Sequence, residues 1–263
     1  MAQRLVVVGG GNMGAALVAG MLRSGSFDSG TLAVVEVLAA RRDALVEQFP
    51  GVAVTDAVPA CDAAVIAVKP PDVPDAARAA VAAGASRLLS IAAGVTTATI
   101  ESAAAAGVAV VRAMPNTPAL VGKGISAIAA GRDAGERELA WAEQILGAVG
   151  QCVRVAEDRF DAVTGLTGSG PAYVFLVAEA LIDAGVVAGL PPSLVEPMVV
   201  QLLVGSAALL AEQGDPAALR AMVTSPGGTT AAGLRVLDER AVRGAFVDAV
   251  QAAAARSREL GAT

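Results

Sequence analysis

Histidine does not occur anywhere in this 263-residue chain. Its absence excludes His-dependent catalytic triads and His-ligated metal sites, so any acid–base step must use another group. Only two cysteines are present, Cys61 and Cys152, far apart and without metal-ligand spacing. Both fall in or beside strand-like runs, which fits buried thiols in a reducing compartment. No metal is expected. Charge is sparse as well: 17% of residues are charged, the net charge is −6, and the arginines and lysines are scattered. That distribution lacks the basic stripe nucleic acid requires. Long hydrophobic runs are also missing, although hydrophobic residues make up 55% of the chain and mean hydropathy is +0.62. The most suspicious run, 197–211, is uncharged but contains Gln201, Gly205 and Ser206. It falls short of the roughly 20 apolar residues of a membrane span. It reads as a helix buried on most faces, in a core or a subunit interface. No charged and apolar leader pattern opens the chain, so a cytoplasmic protein off the membrane is expected.

What is present is a strand signal running into glycines. Leu5-Val6-Val7-Val8 leads directly into Gly9-Gly10-Gly11-Asn12-Met13-Gly14, and a helical pattern (Ala16, Leu17, Met21, Leu22) follows. Strand, then G-x-G-x-x-G, then helix is the context of a dinucleotide-binding turn. Gly9 would make the tight turn, Gly11 would let the backbone approach a pyrophosphate, and Gly14 would allow close helix–strand packing. The helix N-terminus then offers N–H groups to the phosphates. Glu36 lies near the end of the second strand-like run, 32–37. An acidic side chain there accepts from ribose hydroxyls and repels a 2′-phosphate, which favours NAD. Arg41 and Arg42 follow: either they pair with that phosphate, or they begin the next helix on its solvated face.

Strand-like runs then alternate with helical patterns: 52–54, 63–68, 88–92 and 108–112, with 125–129 and 152–155 closing the series around a helix near Trp141. Such alternation predicts an α/β Rossmann domain with a doubly wound, mostly parallel sheet. Its ligands should sit outside the carboxyl ends of the strands. The segments Ala67-Val68-Lys69-Pro70, Ser90-Ile91-Ala92-Ala93-Gly94 and Met114-Pro115-Asn116-Thr117-Pro118 all fall at such ends and read together as a cofactor rim.

After Ala156 the β pattern stops, and helical patterns cover 158–188, 192–212, 216–223, 228–238 and 241–260. The predicted division is therefore 1–156, dinucleotide-binding, and 157–263, all-α. The second part has too few charges to solvate all its helices, and burial against a second chain is the economical solution. Two features there stand out. One is a break at Gly168-Ser169-Gly170-Pro171, where a turn would aim N–H groups and hydroxyls at one spot, unless it is simply a kinked core helix. The other is Ser225-Pro226-Gly227-Gly228-Thr229-Thr230, which reads equally as helix capping and as an anion site for a carboxylate.

In order along the chain, GGGNMG (9–14), AVKP (67–70), SIAAGVT (90–96), MPNTPALVGKG (114–124), DAVTGLTGSGPAY (161–173) and MVTSPGGTT (222–230) resemble pyrroline-5-carboxylate reductase. The resemblance implies a Rossmann domain plus an all-α dimerisation domain whose helices interleave with the partner's, the dimers assembling further into rings in some members. It implies hydride transfer from NADPH or NADH to C5 of 1-pyrroline-5-carboxylate, giving L-proline. By motif, Val8, Gly9, Gly10, Gly11, Asn12 and Met13 would cradle the pyrophosphate. Ala67, Val68, Lys69 and Pro70, with Ile91, Ala92 and Ala93, would line the cofactor, and Met114, Pro115 and Asn116 would lie near the nicotinamide. Ser225, Thr229 and Thr230 would hold the substrate carboxylate beside the partner's Rossmann domain, and Glu157 matches a substrate-side carboxylate. Thr164 matches the residue proposed to donate to the ring nitrogen. A threonine hydroxyl is a poor acid, so an orienting or relay role fits it better.

One departure is Glu36, where NADP-using relatives carry a small polar residue. Hydroxyacid dehydrogenases of similar plan use a lysine early in the helical domain, and 158–190 contains none. An imine reductase need not require the carboxylate, and a non-catalytic nucleotide sensor gives no reason for the SPGGTT segment.

Overall fold

The central apolar runs become strands buried on both faces, and most of the intervening patterns become helices that cover one of those faces. The computed structural model describes residues 3–261. In order it contains β1 (Gln3–Val8), α1 (Asn12–Arg23), β2 (Leu32–Val35), α2 (Ala39–Gln48), β3 (Ala53–Thr55), β4 (Cys61–Ile66) and α3 (Val73–Ala82). There follow β5 (Arg87–Ser90), α4 (Thr97–Ala103), β6 (Ala109–Met114), β7 (Gly124–Ala130), α5 (Glu136–Gly147) and β8 (Gly150–Arg154). The strands form one sheet in the order β3-β2-β1-β4-β5-β6-β7-β8. Pairing is parallel except between β6 and β7. Only residues 115–123 separate those two strands, too few for a helical crossover, so the chain turns back on itself. Strand order reverses between β1 and β4, where a doubly wound sheet opens its binding crevice.

Side chains alternate faces with period two. Leu5 and Val7 pack with Leu17, Met21, Trp141 and Ile145 on one side. Val6 and Val8 pack with Val73, Ala77, Ile100 and Val110 on the other. Cys61 is buried at the start of β4, and burial with the neighbouring Asp62 pushes its thiol up. Cys152, expected to be buried, is only half-buried on β8; burial and the Glu143 charge still push it up to about 11. Neither is an activated nucleophile.

The rest is helical: α6 (Phe160–Val163), a π-helical stretch (Thr164–Gly168), α7 (Gly170–Val187), α8 (Pro192–Gln213), α9 (Pro216–Met222), α10 (Thr229–Glu239) and α11 (Val242–Gly261). Two compact units result, Met1–Ser169 with Ala252–Thr263, and Gly170–Gln251. Residues 157–169 and those from 252 onward thus group with the sheet, whereas the composition shift lies near 156.

The break expected at Gly168–Pro171 is not a turn. Ser169 stays right-handed (φ −84°, ψ −22°), and its N–H donates to Thr164 O at 2.8 Å, five residues back. Threonine hydroxyls back-bond to the helix here, Thr164 Oγ1 to Phe160 O at 2.8 Å and Thr167 Oγ1 to Val163 O at 3.1 Å. Such back-bonding loosens the ladder, and Pro171 has no N–H to offer the Thr167 carbonyl.

Within the second unit, α7 and α8 pack together where Gly185 meets Val195; a Cβ on Gly185 would lie 2.8 Å from Val195 Cγ1. α8 extends beyond the uncharged run at both ends, and by length and composition it and the helix 157–187 reach what a bilayer span needs. Their apolar side chains are mostly uncovered within one chain: Phe175 is 62% exposed and Val187 88%.

Candidate active site

A groove of about 680 Å³ runs past the carboxyl ends of β1, β2, β4, β5 and β6. It brings together Val8, Gly9, Gly11, Asn12 and Met13 from the first turn, Glu36 from the second strand's end, Ala67 to Pro70, Ile91 to Ala93, and Met114 with Pro115. Two residues predicted to line it do not. Gly10 is buried beneath the turn, and Asn116 is buried behind Pro115. Three others were missed by sequence reasoning: Val35, Val37 and Leu38. Val37 and Leu38 are exposed aliphatic residues directly after the acidic one.

The glycines are fixed by space. Gly9 adopts φ 110°, and a Cβ there would lie 2.5 Å from Ala67 O. A Cβ on Gly14 would lie 2.0 Å from Gly9 O, so helix and turn touch backbone to backbone. Gly11, by contrast, has nothing within 4 Å of its would-be Cβ, and no side chain caps α1 behind it. The first N–H groups of α1 are thus left for an anion, and the open side of Gly11 admits one closely. A dinucleotide pyrophosphate fits this cradle.

Glu36 bridges the turn and the chain leaving β2. Its Oε2 accepts from Gly10 N at 3.2 Å and its Oε1 from Leu38 N at 3.0 Å. Arg41 and Arg42 lie in the first turn of α2, half-buried, and both fold back. Arg41 Nε donates to Gly10 O at 2.8 Å, and Arg42 Nη1 donates to Glu36 O at 3.0 Å and Val37 O at 2.9 Å. Both guanidinium groups are thus bonded to backbone carbonyls, of the turn at Gly10 and of the chain leaving β2 at Glu36 and Val37. Lys69 is exposed at the groove's edge.

Glu157 lies elsewhere, in a smaller pocket of about 400 Å³ with Gly94, Arg112, Phe160 and Arg258. Its Oε1 accepts from Thr97 N at 2.7 Å and from Arg112 Nη1 at 3.0 Å, and its Oε2 accepts from the Thr97 hydroxyl at 2.6 Å. Burial alone would raise this carboxyl; the Thr97 hydroxyl and N–H, then Arg112, outweigh it and hold the group below the usual range. The Arg112 guanidinium lies over the Phe160 ring, 4.4 Å from its centroid. Its buried Nε has no hydrogen-bond partner among the described residues.

Thr164 is half-buried at the start of the π stretch, its hydroxyl proton directed to Phe160 O. The Thr167 carbonyl, which Pro171 cannot serve, accepts instead from Asn116 Nδ2 at 3.1 Å, while Asn116 Oδ1 accepts from Ile125 N at 2.9 Å. Gly168 leaves room for Met114; a Cβ there would meet Met114 Cε at 2.9 Å. The loop after β6 is thereby fastened to the π stretch on both sides of Pro115.

In the second unit, Ser225 to Thr230 opens α10. Gly228 is the N-cap, and no side chain caps the helix. Ser225, Thr229 and Thr230 therefore do not act as the side-chain cap of α10 among the described residues. Among the described residues no group of three His, Cys, Asp or Glu side chains could hold a metal ion.

Comparison with known proteins places these features in context. The family description "Pyrroline-5-carboxylate reductase dimerisation" matches residues 157–260, and "NADP oxidoreductase coenzyme F420-dependent" matches 4–94. The chain is 42% identical to a pyrroline-5-carboxylate reductase of Synechocystis sp., covering 99% of each. It is also 42% identical to one of Mycobacterium leprae, covering 99% of this chain and 97% of the relative. Among solved structures it is similar to a pyrroline-5-carboxylate reductase of Coxiella burnetii, with 33% identity, TM-score 0.91 and 99% of each chain covered. The Plasmodium falciparum pyrroline carboxylate reductase, solved with NADP bound, is similar at TM-score 0.84 and 28% identity over 99% of this chain and 100% of that one.

Proposed function

Since the chain belongs to the pyrroline-5-carboxylate reductase family, we propose how its own residues serve the reaction. The protein is an NAD(P)H-dependent oxidoreductase that reduces 1-pyrroline-5-carboxylate to L-proline, the last step of proline biosynthesis. When bound, the reduced nicotinamide supplies the hydride that C5 of the imine accepts. The observation that carries the residue assignments is the groove at the strand ends, whose open Gly11 and uncapped α1 suit a pyrophosphate.

Val8, Gly9, Gly11, Asn12 and Met13 hold the pyrophosphate, with Gly10 beneath them fixing the turn. Lys69 adds positive charge at the groove's edge. Glu36 meets the ribose while Val37 and Leu38 offer apolar cover, and Arg41 and Arg42 offset the Glu36 charge enough to leave NADPH usable. Ala67, Val68, Pro70, Ile91, Ala92, Ala93, Met114 and Pro115 form the apolar walls. Asn116 acts from behind, holding the Met114–Pro115 loop against the π stretch.

Ser225, Thr229 and Thr230 take the substrate carboxylate at the start of α10. An imine that arrives protonated is already electrophilic, so the protein's task is positioning. The Thr164 hydroxyl, whose proton is directed to Phe160 O, retains lone pairs that accept from the ring N–H and orient it. That role needs no strong acid, in keeping with a chain without histidine.

The region 157–260 provides dimerisation. We further propose that its helices interleave with a second copy's, that dimers can assemble into rings, and that the enzyme works in the cytoplasm. The deciding experiment follows NADH and NADPH absorbance with 1-pyrroline-5-carboxylate and, separately, with 1-pyrroline. Turnover that requires the carboxylate is expected. Cofactor binding without turnover of either imine would overturn the reading.

A further inference from the structure

We infer that Glu157 is a positioning residue for the cofactor groove, a clamp between its two apolar walls, and not a ligand to the substrate. The inference rests on the groove's proposed role. Both carboxylate oxygens already accept hydrogen bonds, from Thr97 N and Arg112 Nη1 at Oε1 and from the Thr97 hydroxyl at Oε2. Those two partners are where the walls begin. Thr97 opens α4, four residues after Ala93, and Arg112 stands on β6 two residues before Met114; Ala93 and Met114 both line the groove. Glu157 itself sits two helical turns before Thr164. One side chain thus joins three segments that lie 15 to 60 residues apart in sequence (97, 112 and 157).

Arg112 gives the clamp its force. Its side chain is 8% exposed, and Glu157, 28% exposed, is its ion-pair partner. A guanidinium does not give up its proton, so a buried one deprived of its carboxylate must move toward water or stay unpaired at high cost. Phe160 covers one face of the guanidinium and the neighbouring pocket borders it. Arg112 stands two residues before Met114 on the same strand, so a shift of its backbone is passed to Met114. The effect on the groove is therefore transmitted by Arg112, whereas a substrate contact by Glu157 would not involve Arg112 at all.

This difference is measurable with Glu157→Gln, Arg112→Met and the double variant. NADPH affinity is read by reduced-nicotinamide fluorescence without imine, and kcat and the imine KM are read at saturating NADPH. Glu157→Gln is expected to weaken NADPH binding about 10-fold and to lower kcat by a similar factor, leaving the imine KM within about twofold. The double variant, having no unpaired cation, is expected to recover to within about threefold of the parent, a strong non-additivity. An imine KM raised about 10-fold with NADPH affinity unchanged, or additive losses in the double variant, would overturn the clamp. If Glu157→Gln shows no cooperative thermal unfolding, Thr97→Val, which deletes only the bond to Oε2, takes its place. It should weaken NADPH binding about threefold with an unchanged imine KM, and unchanged binding would equally overturn the clamp. Failure of the parent enzyme to reduce the imine would sink the functional reading instead, while the NADPH binding measurements would still decide the clamp.

Discussion

The two units of the chain are built from similar residues and finish in opposite states. In the sheet unit, Val6, Val7, Val34, Val65 and Leu89 are fully buried between layers that the same chain provides. In the helical unit, α7 buries none of its residues and α8 only Val195 and Val199, while Phe175, Leu202 and Val204 stay more than half exposed. A Val, Leu or Phe gains about 1.5–3 kcal/mol on full burial. A dozen half-covered side chains therefore represent as much free energy as the 5–15 kcal/mol by which domains are typically stable. The lesson is that the sheet unit is a complete solution to its own sequence and the helical unit is half of one. Its membrane-like composition is accounted for by dimerisation, for which residues 157–260 are a family signature.

The strongest way to break this contrast is a charge on the uncovered face. Leu202→Glu, at a side chain 54% exposed in one chain, should abolish the dimer in sedimentation velocity and cut turnover by about 100-fold or more. NADPH binding, a property of the sheet unit, should fall only a few-fold. A variant that remained dimeric would remove this face from the interface. The converse change is Gly9→Ala. With φ 110° and a Cβ 2.5 Å from Ala67 O, it should weaken NADPH binding about 100-fold while leaving the dimer intact. Retained affinity would show that the turn can open.

Smaller effects divide the two binding tasks between the units. Thr230→Ala should raise the imine KM about 10-fold with NADPH affinity unchanged; an unaltered KM would remove Thr230 from the carboxylate site. Glu36→Ser should shift the NADH-to-NADPH rate ratio toward NADPH by about 10-fold. The gain is limited because Glu36 also holds Gly10 N and Leu38 N. No shift would mean that its carboxylate acts only on the turn.

The smallest effect is a dependence on pH. Glu157 is held below its ordinary range in the folded state. Its contribution is thus present above the unfolded carboxyl value, about 4.3, and is lost as pH falls through the lower folded value. The difference in thermal midpoint between the parent and Glu157→Gln should persist from pH 7 to about 5 and shrink below about 4. A difference that grew on acidification would contradict the sign.

Much of the site was legible because its signals are local. A strand running into Gly9-Gly10-Gly11 names its own ligand, and Ala67–Pro70, Ile91–Ala93 and Met114–Pro115 could be placed on one rim because all follow parallel strands. Gly10 and Asn116 carry the same motif labels and yet do not line the groove, for reasons of depth. Gly10 N is already held by Glu36, 26 residues on, and the Asn116 amide by Thr167 O, 51 residues on. The π stretch was hidden for a related cause. Gly168 and Pro171 read as a turn, whereas two back-bonding threonines and a missing N–H produce a wider helix.

By itself, then, the sequence determined the strands, the helices, the glycine turn and the need for a second chain, since periodicity and local backbone chemistry are written in neighbouring residues. The tertiary structure alone decided the reversal of β7, the inward commitment of Gly10 and Asn116, and the joining of Glu157 to Thr97 and Arg112. A carboxylate's role depends on which donors the fold brings within 3 Å, and at Glu157 those donors come from 45 and 60 residues away.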